Sequence, residues 1–164
     1  MEKTIKIAVV VAVLALVLGL FFGDSAEEEI LAQLDSLESV VSMPEGEGNV
    51  KLVVKQRALE GLLDKPVNLH LTQSVFLGVE FSPMQVSANV VKFKKMYKSV
   101  ELDFVDVTFI NLDEQQAEIS FTAHMTVDSK NGKKSDTRAI LAELKNSEAG
   151  WIFSSFREEE VLQR

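Results

Sequence analysis

The chain reads as an α+β protein: an N-terminal transmembrane helix, then three helices packed on a curved, mostly antiparallel sheet. Three observations predict it. Ile7 to Gly23 is an unbroken run of apolar residues and glycine. Between Ser25 and Lys98, three segments carry apolar residues at helical spacing. From Val100 to Leu162, four stretches in series read as strands, most clearly Ala117 to Val127, where apolar and polar residues alternate without a break.

As a helix, Ile7 to Gly23 spans about 25 Å, short but within the range for crossing a bilayer. Lys3 and Lys6 precede it, and Asp24 and Glu27-Glu28-Glu29 follow. That asymmetry predicts a cytoplasmic N-terminus and an extracytoplasmic domain, periplasmic in a bacterium. The alternative is a signal peptide and export after cleavage. The nearest cleavage site, Asp24-Ser25-Ala26, has a charged residue where a small one is wanted. The expected organisation is a stub and anchor over residues 1–24 and a soluble domain over 25–164.

Ser25 and Glu28 have capping-box spacing and open a helix to Ser42, with Ile30, Leu31, Leu34, Leu37, Val40 and Val41 on one stripe. Pro44 and Glu45-Gly46-Glu47-Gly48 end it. A second helix is predicted from Val50 to Leu63, with Val50, Val53, Val54, Ala58 and Leu62 inward and Pro66 closing it. Val67 to Leu71 reads as a short strand and Thr72 to Phe81 as an irregular connection. Ser82, Pro83 and Gln85 open a third helix that runs to about Lys98. Met84, Ala88 and Val91 form one stripe on it, and Val86, Val90, Phe93 and Tyr97 a neighbouring one. Lys92, Lys94, Lys95 and Lys98 suit the negative end of its dipole.

In the first long strand, Val100, Leu102 and Phe104 alternate in one phase and Val105, Val107 and Phe109 in the other. The switch predicts a β-bulge near Phe104-Val105 that bends the sheet. Asn131-Gly132 signals a hairpin. Thr137 to Leu144 is apolar on both phases, as in a central strand covered on both faces. Trp151 to Arg157 is the last strand.

Composition excludes several functions. The chain has no cysteine, so disulfides, thiolate metal sites and a cysteine nucleophile are ruled out. Its net charge is −8; Glu2, Lys3 and Lys6 give residues 1–23 a net +1, which leaves −9 to the rest. So acidic a domain repels phosphate backbones, which argues against nucleic acid as a partner.

The order helix, helix, short strand, helix and bent meander, ending in Gly150-Trp151-Ile152-Phe153-Ser154-Ser155-Phe156, resembles the nuclear transport factor 2-like (cystatin-like α+β) superfamily. The resemblance covers about Ala26 to Leu162. It implies a curved sheet wrapped around three helices as a cone. Enzymes of that superfamily place Asp, Tyr or His in the cavity. Here that points to Asp103, Asp106 and Tyr97 as the candidates for catalysis.

The histidines do not fill that role. His124 lies on the polar phase of its strand with Glu118, Ser120, Thr122 and Thr126, and His70 shares the phase of Asn68. Neither has metal-ligand spacing, so no metal and no cofactor is expected. The opposite phase, Ala117, Ile119, Phe121, Ala123, Met125 and Val127, carries no ionisable group and fits a filled core or an apolar pocket. Candidate ligand contacts are Phe121, Ala123, Met125, Phe104 and Phe153. Ile140, Leu141 and Ala142, apolar on both phases, are candidates for a homodimer interface. Lys92, Lys94, Lys95 and Lys98, and Lys130, Lys133 and Lys134, read as solvated faces or as contacts for acidic lipid or a partner.

The leading expectation is a membrane-anchored binding or scaffold domain acting on an unidentified protein partner. The alternatives are a carrier of a small apolar ligand and an isomerase- or hydrolase-like enzyme.

Overall fold

A computed structural model of the chain describes residues 25–71 and 80–159. Two compact units are distinguished, Met1–Leu31 and Ala32–Arg164. Of the first, residues 25–31 are described. There the Ser25 Oγ accepts from the Glu28 amide and the Glu28 carboxylate accepts from the Ser25 amide, which is the expected capping box. Among the described residues no helix is long and apolar enough to cross a membrane. The expected anchor, Ile7 to Gly23, lies outside them, as do residues 72–79 of the expected irregular connection.

Among the described residues, three helices and six strands follow one another as α1 (Ala26–Val41), α2 (Asn49–Leu62), β1 (Leu63–His70), β2 (Glu80–Phe81), α3 (Pro83–Lys94), β3 (Ser99–Leu112), β4 (Gln116–Ser129), β5 (Gly132–Ser147) and β6 (Gly150–Glu158). The strands form one sheet in the order β2-β1-β6-β5-β4-β3. Among the described strands, only β1 and β6 pair in parallel. Strands β3 to β6 form the expected meander, and the expected hairpin turns at Lys130-Asn131, with Ser129 opposite Gly132 and the glycine, at the start of β5, at φ 100°.

An edge strand exposes unpaired backbone groups, and here the last turn of α1 and the two residues after it cover some of them. Met43 exchanges both backbone hydrogen bonds with Val100 on β3. The Leu102 amide donates to Ser42 Oγ at 3.0 Å, and the Phe104 amide donates to the Glu38 carboxylate. Burial outweighs that hydrogen bond and raises the pKa of Glu38.

Four expectations are corrected. In α2 the buried positions are Leu52 and Leu59, two turns apart, while Val50, Val53 and Val54 are 79 %, 49 % and 62 % exposed and Ala58 is exposed. Polar pairing sets that rotation: Ser87 on α3, fully buried, donates to Glu60 at 2.7 Å, and Gln56 donates to Ser87. The first strand starts at Leu63 rather than Val67, and Pro66 lies inside it, within the register shift between Leu63 and Asn68 that asks no ladder bond of it. Helix α3 ends at Lys94 rather than near Lys98; Met84, from one of its two apolar stripes, is 68 % exposed, and its expected solvated Lys94 is 2 % exposed. The bulge falls at Asp106-Val107 rather than Phe104-Val105, with Asp106 at φ 56°, and a second shift follows between Phe109 and Asn111.

β5 is central, as expected. Ile140, Leu141 and Ala142 are 7 %, 6 % and 0 % exposed within the single chain. Their burial is complete without a second copy.

Candidate functional site

Directly opposite residues of an antiparallel pair share a face. On β4 the helix-covered face carries Ala117, Ile119, Phe121, Ala123, Met125 and Val127, the apolar row expected from alternation. Their partners on β5 are Leu144, Ala142, Ile140, Arg138, Asp136 and Lys134. The first three pairs pack tightly: Ile119 and Ala142 are fully buried, and Leu144 is 1 % exposed. At the last three pairs the space between sheet and helices is open.

That space is a cavity of about 700 Å³. Helices contribute Leu37 and Val41 from α1, Leu59 from α2, and Val86, Asn89, Val90 and Phe93 from α3. Tyr97 follows α3 into the same wall. The sheet contributes Leu63 and Leu69 from β1, Leu102 and Phe104 from β3, Phe121 to Val127 in alternation from β4, and Phe156 from β6. Phe104 and Phe121 are tilted against each other at 4.6 Å, as are Phe93 and Tyr97 at 4.9 Å.

The polar part of the lining is Asn89, Tyr97 and the run Lys134, Ser135, Asp136 and Arg138. Arg138 donates from Nε to Asp136 at 2.8 Å and from a terminal nitrogen to Glu158 at 3.0 Å. The Asp136 hydrogen bond raises the Arg138 pKa despite its partial burial.

A second buried polar group holds the wall nearby. Lys94 Nζ donates to the Val40 carbonyl at 2.5 Å and lies 3.5 Å from that of Ser42. Lys55 donates to the Ser42 carbonyl at 2.7 Å and pairs with Glu47 at 2.6 Å. Two lysines thus satisfy carbonyls at the end of α1 that the helix cannot. Burial, with Lys55 adding to it and Glu47 opposing, lowers the Lys94 pKa to about 8.

Of the expected ligand contacts, Phe104, Phe121, Ala123 and Met125 line the cavity. Phe153 lies behind it, fully buried and stacked 5.1 Å from Phe156, which takes its place in the wall. Among the candidates for catalysis, Tyr97 lines the cavity; Asp103 and Asp106 do not. Asp103 sits between two lining residues, so its side chain leaves by the other face, where it is exposed opposite His124. Asp106 is exposed at the bulge. His124 bonds Thr137 Oγ1 at 2.8 Å on the far face, and His70 is exposed. Among the described residues, no cluster of three metal-binding side chains occurs.

Sequence reading named Lys134 only as a solvated or partner-facing hairpin residue, and missed Asp136, Arg138 and the row the three make at the cavity. The signal was present: these residues run in phase with Ile140, Ala142 and Leu144 and so share their face.

No protein-family profile and no curated protein matches the chain. Solved structures do. Kfla4162 from Kribbella flavida matches with a TM-score of 0.66 at 10 % identity, over 84 % of this chain and 92 % of that one. A nuclear transport factor 2-like superfamily protein from Salmonella enterica gives 0.64 at 11 % identity, over 82 % and 89 %. A protein from Streptomyces avermitilis, provisionally named a dehydratase of that family, gives 0.60 at 11 % identity, over 86 % and 100 %. At such identities the likeness is one of fold, and the fold is nuclear transport factor 2-like.

Proposed function

We propose that this is a binding domain that takes a small, largely apolar ligand into the cavity, and that residues 1–24 hold it at a membrane with the domain on the extracytoplasmic side. The observation that carries the reading is the cavity itself. Its size falls within the roughly 300–1,000 Å³ typical of small-molecule sites, and its wall is apolar with a few polar groups on one side. The enzyme alternative asks for an acid or base in that space. Asp103 and Asp106 lie elsewhere, Asp136 is engaged by Arg138, and of the three candidates only Tyr97, packed against Phe93, is on the wall. The provisional name of the Streptomyces protein adds no activity at 11 % identity. The anchor rests on Lys3, Lys6 and the apolar run Ile7 to Gly23.

The test uses the full chain in lipid nanodiscs with a diazirine-bearing palmityl alcohol. Light-induced labelling should map to peptides containing Phe121, Ala123 and Met125, saturate, and disappear in Ala123→Phe, which fills the space. Labelling confined to residues 1–24, or unchanged in Ala123→Phe, overturns the reading.

A further inference from the structure

The charges beside the cavity are unevenly satisfied. Arg138 is held by two carboxylates, Asp136 and Glu158. Lys134 lies on the same face two residues before Asp136, lines the cavity and, among the described residues, makes no ion pair. Among the described residues, Asp136 and Glu158 are thus both engaged by Arg138, and the Lys134 ammonium has no carboxylate partner. Asn89 and Tyr97 add neutral hydrogen-bonding groups to the same lining.

The surroundings reinforce that charge. The Lys98 amide donates to the Asp128 carbonyl at 2.7 Å, which ties the turn after α3 to the β4–β5 hairpin. Exposed Lys95 and Lys98 thereby join exposed Lys130 and Lys133 at one end of the sheet. Two basic clusters that are separate in sequence meet there around Asp128, which stands opposite Lys133, in a chain whose net charge is −8. A local positive field beside an apolar cavity favours a ligand that is apolar along its length and negative at one end.

We infer that the cavity takes a single-chain amphipathic anion, a fatty acid or an anionic lysolipid, with its chain against the Phe104–Phe121 wall and its head at Lys134. This rests on the cavity being a ligand site, and the assay separates the two ideas. Unlabelled palmitate, palmitoyl lysophosphatidate and palmityl alcohol are titrated against the photoreactive alcohol on the full chain in nanodiscs. The expected result is that at least one anion competes about five- to tenfold better than the alcohol. The better anion identifies the head as carboxylate or phosphate. In Lys134→Glu, an exposed substitution, the anions should lose their advantage over the alcohol. If alcohol and anions compete equally, the inference is wrong and the cavity reading stands. If the preference survives in Lys134→Glu, Lys134 is not the head contact and the inference is wrong as drawn. If cavity labelling is absent altogether, the cavity reading fails and takes this inference with it.

Discussion

The two halves of β4 carry the same alternation and do different things. From Ala117 to Phe121 the inward residues are at most 3 % exposed; from Ala123 to Val127 they are half-buried and border open space. Nothing in β4 itself marks the change. The partner strand makes it: opposite the first half β5 offers Leu144, Ala142 and Ile140, and opposite the second it offers Arg138, Asp136 and Lys134. Apolar side chains can fill dry space, whereas charged ones must keep their heads paired or wet. A cavity opens where the filling would have had to be charged.

That contrast predicts unequal costs for truncation. Phe153→Ala, in the packed half, should destabilise by about 3–5 kcal/mol, because a fully buried ring leaves a void that its neighbours cannot close. Met125→Ala, in the open half, should cost about 1 kcal/mol, since Met125 already borders empty space and gives up less buried area. Denaturant unfolding of both variants is the measurement. Equal losses would mean that the open half is as tightly packed as the other.

The open half also depends on a buried lysine, and that dependence has a pH signature. The folded-state pKa of Lys94, about 8, lies below its ordinary 10.5. Between those values the unfolded chain holds the proton and the folded chain has released it. Unfolding then takes up a proton, so stability rises with pH across the window. The full shift corresponds to on the order of 3 kcal/mol. Other groups titrate there too, so the slope is read as a difference from Lys94→Met, which should lack it. Parallel profiles would place Lys94 in water. The other end of the same helix gives a smaller effect. Ser82→Ala removes the Ser82 Oγ acceptor of the Gln85 amide and should cost about 1 kcal/mol, with the pH slope unchanged.

The fold was legible in the sequence where local chemistry and tertiary packing agree. Ser82-Pro83 and Gln85 gave the start of α3, Asn131-Gly132 the hairpin, and the doubly apolar Thr137 to Leu144 a central strand. It was illegible where two stripes competed. In α2, Val50, Val53 and Val54 make as good an apolar face as Leu52 and Leu59, and the choice is set by Ser87 and Glu60 on two different helices. Half of the site was legible for the same reason. Phe104, Phe121, Ala123 and Met125 follow from alternation alone. Lys94 does not, because a lysine in a last helical turn suits the dipole whether it is wet or buried. The charged row of β5 was readable from its phase, but only by laying it opposite β4.

The smallest predicted effect bears on catalysis. Asp103 and Asp106 are exposed and lie outside the cavity wall, so neither is positioned to act on a ligand held there. Asp103→Asn removes a charge and keeps the shape of the side chain on a wet face. Asp106→Asn keeps a residue type that tolerates its positive φ of 56°. Each change should therefore alter stability by no more than about 0.5 kcal/mol, the usual range for surface substitutions. Photolabelling of the cavity should be unchanged in the double variant, and so should complementation of a deletion strain. Loss of complementation by a folded, ligand-labelled double variant would bring back the aspartates as functional groups. It would also turn attention from the cavity to the far face of the sheet, where Asp103 stands opposite His124.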